Sequence, residues 1–517
     1  MTTRYQQWAL AALAVQLGIG LAVFKMGALA LCSAGFGLFV FCASFFAAGE
    51  TGWSKKHFLR LGSVTWSRED FFRHWLIVGR SGCGKTAGAF RSILIQVTQS
   101  APNWGGVCID EKGNIYRIVA RIMDALREEK KLIVLRTRQP GAPADWKPPY
   151  RMNLIGDQSL PYRTLAQVVV DVAVSQGQKT SQAFFKNQAL DLMADIFETV
   201  VLSGLQLTLE NAFEFMKLEY LRAVVLRGLA ENKEERAAKL ALFWKDFFKT
   251  DGGQLSGVKG TVENYLRPYT DPAIVEVFCS DDPNITFAEI DQGKIFCTSV
   301  TQVHVSGRRY VNAFFKMYFY LHVLRRFDLD RDDFQNMTPL ILFADEGQNS
   351  ILASEEGLAD KTTLDKLREA GGTAVFLMQD FVSAIPPSEG EQNADVLFTN
   401  LNNKIIFAVE NPKGREIASK QFGMHDVAKY SYTTGQGSRS TTRSTEEKPR
   451  FNATFFGDLK QFECVVKHCE GKWERIKLRP PNDDGRYSSW WSRRKGFRVA
   501  SRPSPASSVQ QASDPTG

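Results

Sequence analysis

The chain has 517 residues, with 64 lysines and arginines against 56 aspartates and glutamates, for a formal charge of +8. That length accommodates two or three domains around a large core, and the modest basic excess suits an anionic partner such as nucleic acid or lipid. Eight cysteines without a CxxC pair, of which only Cys464 and Cys469 lie close together, and six dispersed histidines exclude a zinc site drawn from spacing and favour reduced thiols in a cytosolic body.

The first fifty residues differ in kind from the rest. Trp8 to Phe24 is seventeen residues without a charge, Lys25 interrupts, and Met26 to Ala48 adds twenty-three more. The second stretch is long enough to span a bilayer, and the pair predicts a transmembrane helical hairpin, with a single span as the alternative. The apolar region is too long for a cleaved signal peptide. Arg4 before the pair, and Lys55, Lys56 and Arg60 after it, favour two cytoplasmic ends.

LIVGRSGCGKT, residues 76–86, follows: a buried strand from Trp75 to Val78, then GxxxxGK[ST], then a helix beginning near Lys85. Gly79, Arg80, Ser81, Gly82, Cys83, Gly84, Lys85 and Thr86 form the predicted phosphate cradle. Its glycines turn backbone amides inward at the positive end of a helix, where anionic oxygens are favoured. Lys85 neutralises the β and γ phosphates in this reading, and Thr86 places a hydroxyl on Mg²⁺.

Apolar strands then alternate with amphipathic helices: Gly106 to Asp110, Leu132 to Arg136, Lys294 to Val300, Leu340 to Ala344, Thr373 to Met378 and Lys404 to Val409. Such alternation predicts an α/β fold with a mainly parallel sheet. Between them, Leu190, Ala194, Ile196, Phe197, Val200 and Val201 recur at helical spacing, so an all-α insertion is expected. The organisation reads as an anchor (1–50), a first nucleotide-binding part (51–180), the insertion (181–250), a second nucleotide-binding part (251–480) and a tail (481–517). Tyr430 to Lys448, rich in Ser, Thr and Gly, predicts a flexible loop. Phe462 to His468 and Trp473 to Leu478 predict two short strands. Arg486 to Arg498 is basic with two tryptophans, and the residues after Arg502 read as disordered.

PLILFADEGQ, residues 339–348, is a strand ending in two carboxylates. Beside a phosphate loop, Asp345 would hold Mg²⁺ and Glu346 would orient or deprotonate the attacking water; alone, the pair also suits a helix cap. At the end of TAVFLMQD, Gln379 is a candidate to sense a γ phosphate or else a surface residue closing the strand. Arg368, in LDKLREAGG, is a candidate trans-acting arginine or else part of a solvated helix face. Asp110, Glu111 and Lys112 close another strand, where Asp110 lies near the nucleotide or simply shapes a turn.

In this order the apolar pair, GRSGCGKT, IDEKGN, YRMNLIGD, the helical stretch, FADEGQ and FLMQD resemble the TraG/TraD-like coupling ATPases of conjugation and type IV secretion, over most of residues 10–480. The resemblance implies a RecA-like P-loop motor domain with an inserted all-α domain, preceded by the transmembrane hairpin. It further implies ATP and Mg²⁺ as cofactors, a homo-hexameric ring, and a bacterial inner-membrane location with the bulk cytoplasmic. The implied cargo is single-stranded DNA with its relaxase or relaxosome, or an effector, passed to type IV secretion channel components. Carried over, Lys85 and Thr86 contact phosphate and Mg²⁺, Asp345 and Glu346 form the hydrolytic pair, and Gln379 couples. The sequence departs from the family in reading Asn153-Leu154 where Asn-Pro-Leu is usual, and in lacking a long acidic tail. Two other functions share the motifs. One is a septal or plasmid translocase of duplex DNA; such motors usually carry a sequence-reading winged-helix module, and none is read in the residues after Leu478. The other is a membrane scaffold that binds nucleotide with little turnover, for which Glu346→Gln would be silent.

Overall fold

Nine strands line up in a single mixed sheet in the computed structural model, which describes residues 57–178, 183–249, 253–329, 337–353, 357–435 and 438–486. The architecture is that of the unit from Phe58 onward. A small hairpin, β1 Leu59–Leu61 and β2 Val64–Trp66, precedes β3 Trp75–Val78, β4 Gly105–Ile109, β5 Leu132–Arg136, β6 Ile295–Ser299, β7 Leu340–Ala344, β8 Gly372–Met378 and β9 Asn403–Ile406. After these come β10 Met424–Gly435, β11 Ser438–Pro449, β12 Glu463–Lys467 and β13 Trp473–Lys477. The sheet order is β13-β12-β9-β3-β8-β7-β4-β6-β5. The strands from β9 to β5 are parallel, and β12 and β13 close one edge antiparallel.

The central strands are apolar throughout because both faces are covered; every residue of β3, β4, β6, β7 and β8 is buried. Period-two alternation splits them between two cores. Leu76 and Val78 of β3 join the core beneath the helices of residues 162–278 and Val305–Leu324. Trp75 and Ile77 face the opposite side with the helices Arg91–Ser100 and Ile115–Ala125. The chain between β5 and β6 is helical over a longer stretch than residues 181–250, from Tyr162–Ser175 to Pro272–Phe278. Its last helix is tied back to the stretch before it: Met152 N donates to Val277 O and Leu154 N to Phe278 O, at 2.8 and 2.9 Å.

The flexible loop expected over Tyr430 to Lys448 is not found. Residues 424–449 form an antiparallel ribbon, from Met424↔Pro449 to Gly435↔Ser438. β-Branched and aromatic residues such as Val427, Tyr430 and Thr445 suit extended backbone, and cross-strand pairing outweighed the loop-like composition. The predicted transmembrane hairpin and most of the tail fall outside the described residues. Among the described residues, no helix is long and apolar enough to cross a membrane.

Candidate nucleotide site

Parallel strands put their carboxyl ends along one edge, where ligands of open α/β sheets bind. Here that edge carries the phosphate loop after β3, Gln379 after β8, the acidic pair after β7 and Asp110 after β4. Only β8 separates β3 from β7, so the loop and the acidic pair, 260 residues apart in sequence, lie about 10 Å apart at the strand level.

The loop is held by the neighbouring strand ends: Gly79 N donates to Met378 O and Arg80 N to Ala408 O, at 3.2 and 2.7 Å. Gly84 requires glycine twice over. Its φ of +117° is one that side chains rarely tolerate, and a Cβ there would lie 2.5 Å from the Phe462 ring. Gly82, also at positive φ, faces open space. Residues Lys85–Phe90 then form a wide first turn before the helix Arg91–Ser100. The Lys85 side chain is buried, and its ammonium donates to the carbonyls of Gly79 and Arg80. Burial pulls its pKa below the usual lysine range, although the charges of Glu346 and Asp345 oppose this. Thr86 is half-buried beside it, and Arg80 and Ser81 are exposed at the rim. Arg80 pairs there with Glu410 at 2.9 Å.

Asp345 and Glu346 are 3% and 5% exposed. Glu346 has the left-handed backbone φ 48°, ψ 47°, a strained conformation for a non-glycine residue that is common at functional sites. Gln379 Nε2 donates to Glu346 Oε1 at 2.9 Å, Gln348 Nε2 to Oε2 at 2.8 Å, and the Lys112 ammonium bonds Oε1. Burial alone would raise the pKa of Glu346, but these bonds outweigh it and hold the carboxyl below the usual glutamate range. Asp345 is raised, by burial and by the charge of Glu346, against the opposing pull of Lys112. Asp110 is pushed up to about 6, chiefly by burial. Its carboxylate accepts the amides of Lys112, Gly113 and Ile115, so Asp110 shapes its turn and also faces the acidic pair.

Lys85, Thr86, Asp345, Glu346 and Gln379 thus share one edge. Arg368 does not. It is exposed at the end of the helix Asp360–Leu367, just before β8 begins, and its charge acts on His74, which precedes β3. That is the opposite edge of the sheet, about 20 Å away along β8. Lys112 was missed as a site residue, although IDEKGN placed it directly after a strand end. Also missed was the segment at 459–462. Phe462 N donates to Cys83 O at 2.7 Å and Gln461 Nε2 to Gly82 O at 3.2 Å, and a cavity of about 340 Å³ opens between Leu459–Gln461 and Arg80–Cys83. No local signal marks that segment; it arrives through the antiparallel pairing of β12. A larger cavity of about 490 Å³, lined by Phe287, Tyr318 and Arg325 among others, lies away from these residues. Asp70, His468 and Cys469 converge at the other edge in a cluster of potential metal ligands. His468 Nδ1 already accepts the Glu470 amide there, at 3.0 Å.

The donor set fits a nucleotide with a divalent cation. A buried ammonium is bonded only to carbonyls, and two buried carboxylates already face the ammonium of Lys112, which stands where a cation belongs. Asp345 and Thr86 are the oxygen donors that would hold the ion.

A family model for type IV secretory system conjugative DNA transfer matches residues 47–451. No curated protein sequence matches the chain. Among solved structures, the unbound monoclinic form of the bacterial conjugative coupling protein TrwBdeltaN70 is 15% identical over 84% of this chain and 91% of that one, with a TM-score of 0.61. The plasmid coupling protein TrwB with the GTP analogue GDPNP is similar at 15% identity, 84% and 91% coverage and TM-score 0.60. TrwB with ADP and Mg²⁺ gives 15%, 84%, 90% and 0.58. At such identity the likeness is one of fold. By the family match, which covers more than half of its length, the chain belongs to the type IV secretory system conjugative DNA transfer family.

Proposed function

We propose that the chain is a coupling ATPase of conjugation: a RecA-like motor that hydrolyses ATP with Mg²⁺ to pass single-stranded DNA and its relaxase to a type IV secretion channel. In this reading it is anchored in the bacterial inner membrane by residues 1–50 and assembles as a homo-hexamer, with the helical stretch between β5 and β6 as its all-α domain. The observation that carries the reading is the hydrogen bond from Gln379 to Glu346 across the sheet edge. It links β7 to β8, the strand that also pairs with the phosphate-loop strand, so phosphate contacts and hydrolytic carboxylate belong to one rigid frame. TrwB structures with ADP and Mg²⁺ and with nucleotide analogues support the choice of ligand.

The residues divide the work by their electrostatics. The backbone amides of Gly79 to Thr86 and the Lys85 ammonium neutralise the phosphate oxygens, and the burial of Lys85 strengthens its contact. A divalent ion held by Thr86 and Asp345 would supply further positive charge against those oxygens. Glu346, its carboxylate fixed by the amides of Gln379 and Gln348, accepts a proton from the attacking water. Gln379 fixes the Glu346 carboxylate and stands at the end of β8 next to the loop. Arg368, exposed at the far edge, would act only on a neighbouring subunit's nucleotide. The basic excess of the chain suits sequence-independent grip on DNA phosphates at the ring axis.

ATP hydrolysis by the full chain, with and without single-stranded DNA, tests this together with transfer in a mating assay. Lys85→Ala is expected to lose both. Glu346→Gln is expected to bind ATP and not hydrolyse it. Undiminished transfer by Lys85→Ala refutes the motor, and undiminished transfer by Glu346→Gln leaves nucleotide binding alone as the functional event.

A further inference from the structure

One strong charge at the nucleotide edge has no role in the mechanism above. Lys112 bonds Glu346 and lies 3.8 Å from Asp345 Oδ2, bridging both carboxylates. Lys85 cannot serve them in the same way, because its ammonium is bonded to the loop carbonyls. The backbone carrying Lys112 is fixed from two sides. Asp110 accepts the amides of Lys112 and Gly113 at 2.9 and 2.8 Å. Glu111 is buried, accepting from Asn312 at 2.6 Å and Arg308 at 3.3 Å, while its carbonyl accepts from Gln302 at 2.9 Å. The side chain itself differs from this mount in being 49% exposed. A rigid base thus holds a long cationic arm that can leave for water without stranding a buried charge.

We propose that Lys112 is a tethered counter-ion for Asp345 and Glu346, which holds the pair in place when no nucleotide is bound and competes with the divalent cation for it. This inference rests on the metal assignment made above and adds a threshold to it. The divalent ion must displace the ammonium from two carboxylates that burial would otherwise leave repelling one another. Lys112 therefore sets the cation concentration at which the site loads, and it returns to the carboxylates when the ion departs. It acts through the acidic pair as a positioning residue.

The test is Mn²⁺ binding to the full chain, followed by electron paramagnetic resonance at fixed ADP, for wild type, Lys112→Gln, Lys112→Arg and Asp345→Asn. Lys112→Gln is expected to bind Mn²⁺ about threefold to fivefold more tightly, the scale of a half-exposed ion pair. Lys112→Arg, which keeps the charge, is expected to stay near wild type. Raising the salt concentration should narrow the gap between wild type and Lys112→Gln. Unchanged or weaker Mn²⁺ binding by Lys112→Gln, with Asp345→Asn still impaired, overturns the counter-ion role alone. Equal binding by Asp345→Asn and wild type overturns the metal assignment, and this inference with it. Thermal unfolding of each variant confirms that binding is compared between folded proteins.

Discussion

Lys404 offers a sharp test of how this sheet is packed. It lies in β9 between Leu76 of β3 and Lys467 of β12. Only 4% of it is exposed, and its ammonium has a single described partner, the carbonyl of Leu401 at 2.7 Å. Burial, reinforced by the charge of Lys467, lowers its pKa from 10.5 to about 7. Between those values the unfolded chain carries a proton that the folded chain lacks, so stability rises with pH. At about 1.4 kcal/mol for each pH unit, the whole gap amounts to about 5 kcal/mol, of which about 2 kcal/mol falls between pH 7 and 9. Lys404→Met removes the titrating group while keeping its length. It is expected to be more stable than wild type at pH 7, even after losing about 1 kcal/mol with the Leu401 hydrogen bond. Its advantage should shrink by about 2 kcal/mol on going to pH 9. Urea unfolding of both proteins at pH 7, 8 and 9 measures this, and groups titrating in both cancel in the difference. Parallel profiles would refute the reasoning.

Three further outcomes are expected. Gly84→Ala forces a side chain into φ +117° and against the Phe462 ring, at about 1–3 kcal/mol of strain; its melting temperature should fall and nucleotide binding weaken more than tenfold, and wild-type calorimetry would contradict the loop geometry. Gln379→Ala removes one of the bonds that hold the Glu346 pKa low, so the acid limb of the pH–rate profile should move to higher pH while nucleotide affinity stays within about threefold; an unmoved limb would separate Gln379 from Glu346. Lys316 is fully buried and bonds Asp360 and the Ser350 carbonyl, both at 2.7 Å; Lys316→Met leaves that carboxylate without its cation and should cost about 3–5 kcal/mol, whereas a stability loss below 1 kcal/mol by thermal unfolding would show the pair is hydrated.

Much of the fold was legible because its strands are buried on both sides. A run such as Leu340–Ala344, apolar at every position and closed by Asp345, announces a central parallel strand from local chemistry alone and is found with the expected bounds, whereas the strand expected at Lys404–Val409 runs from Asn403 to Ile406 and ends three residues early. The ribbon of residues 424–449 was illegible for the converse reason. Where its burial is described, at residues 424–430 and 443–449, every residue is exposed or half-buried, and a stretch of Ser, Thr and Gly carries no hydrophobic pattern to announce the pairing. The loop residues Gly79 to Thr86 and the pair Asp345 and Glu346 could each be named from sequence, since a phosphate cradle and an acidic strand end are short-range motifs. Their meeting, however, was decided by strand order. The insertion of β8 between β3 and β7 sets the spacing and delivers Gln379 to Glu346, and the pairing of β4 with β7 aims Lys112 at both carboxylates. The same order sends Arg368 to the far edge. Local sequence determines what a strand end can do chemically, because that depends on residue type and backbone freedom. Which ends become neighbours depends on hydrogen bonds between segments hundreds of residues apart, and only the folded sheet contains that information.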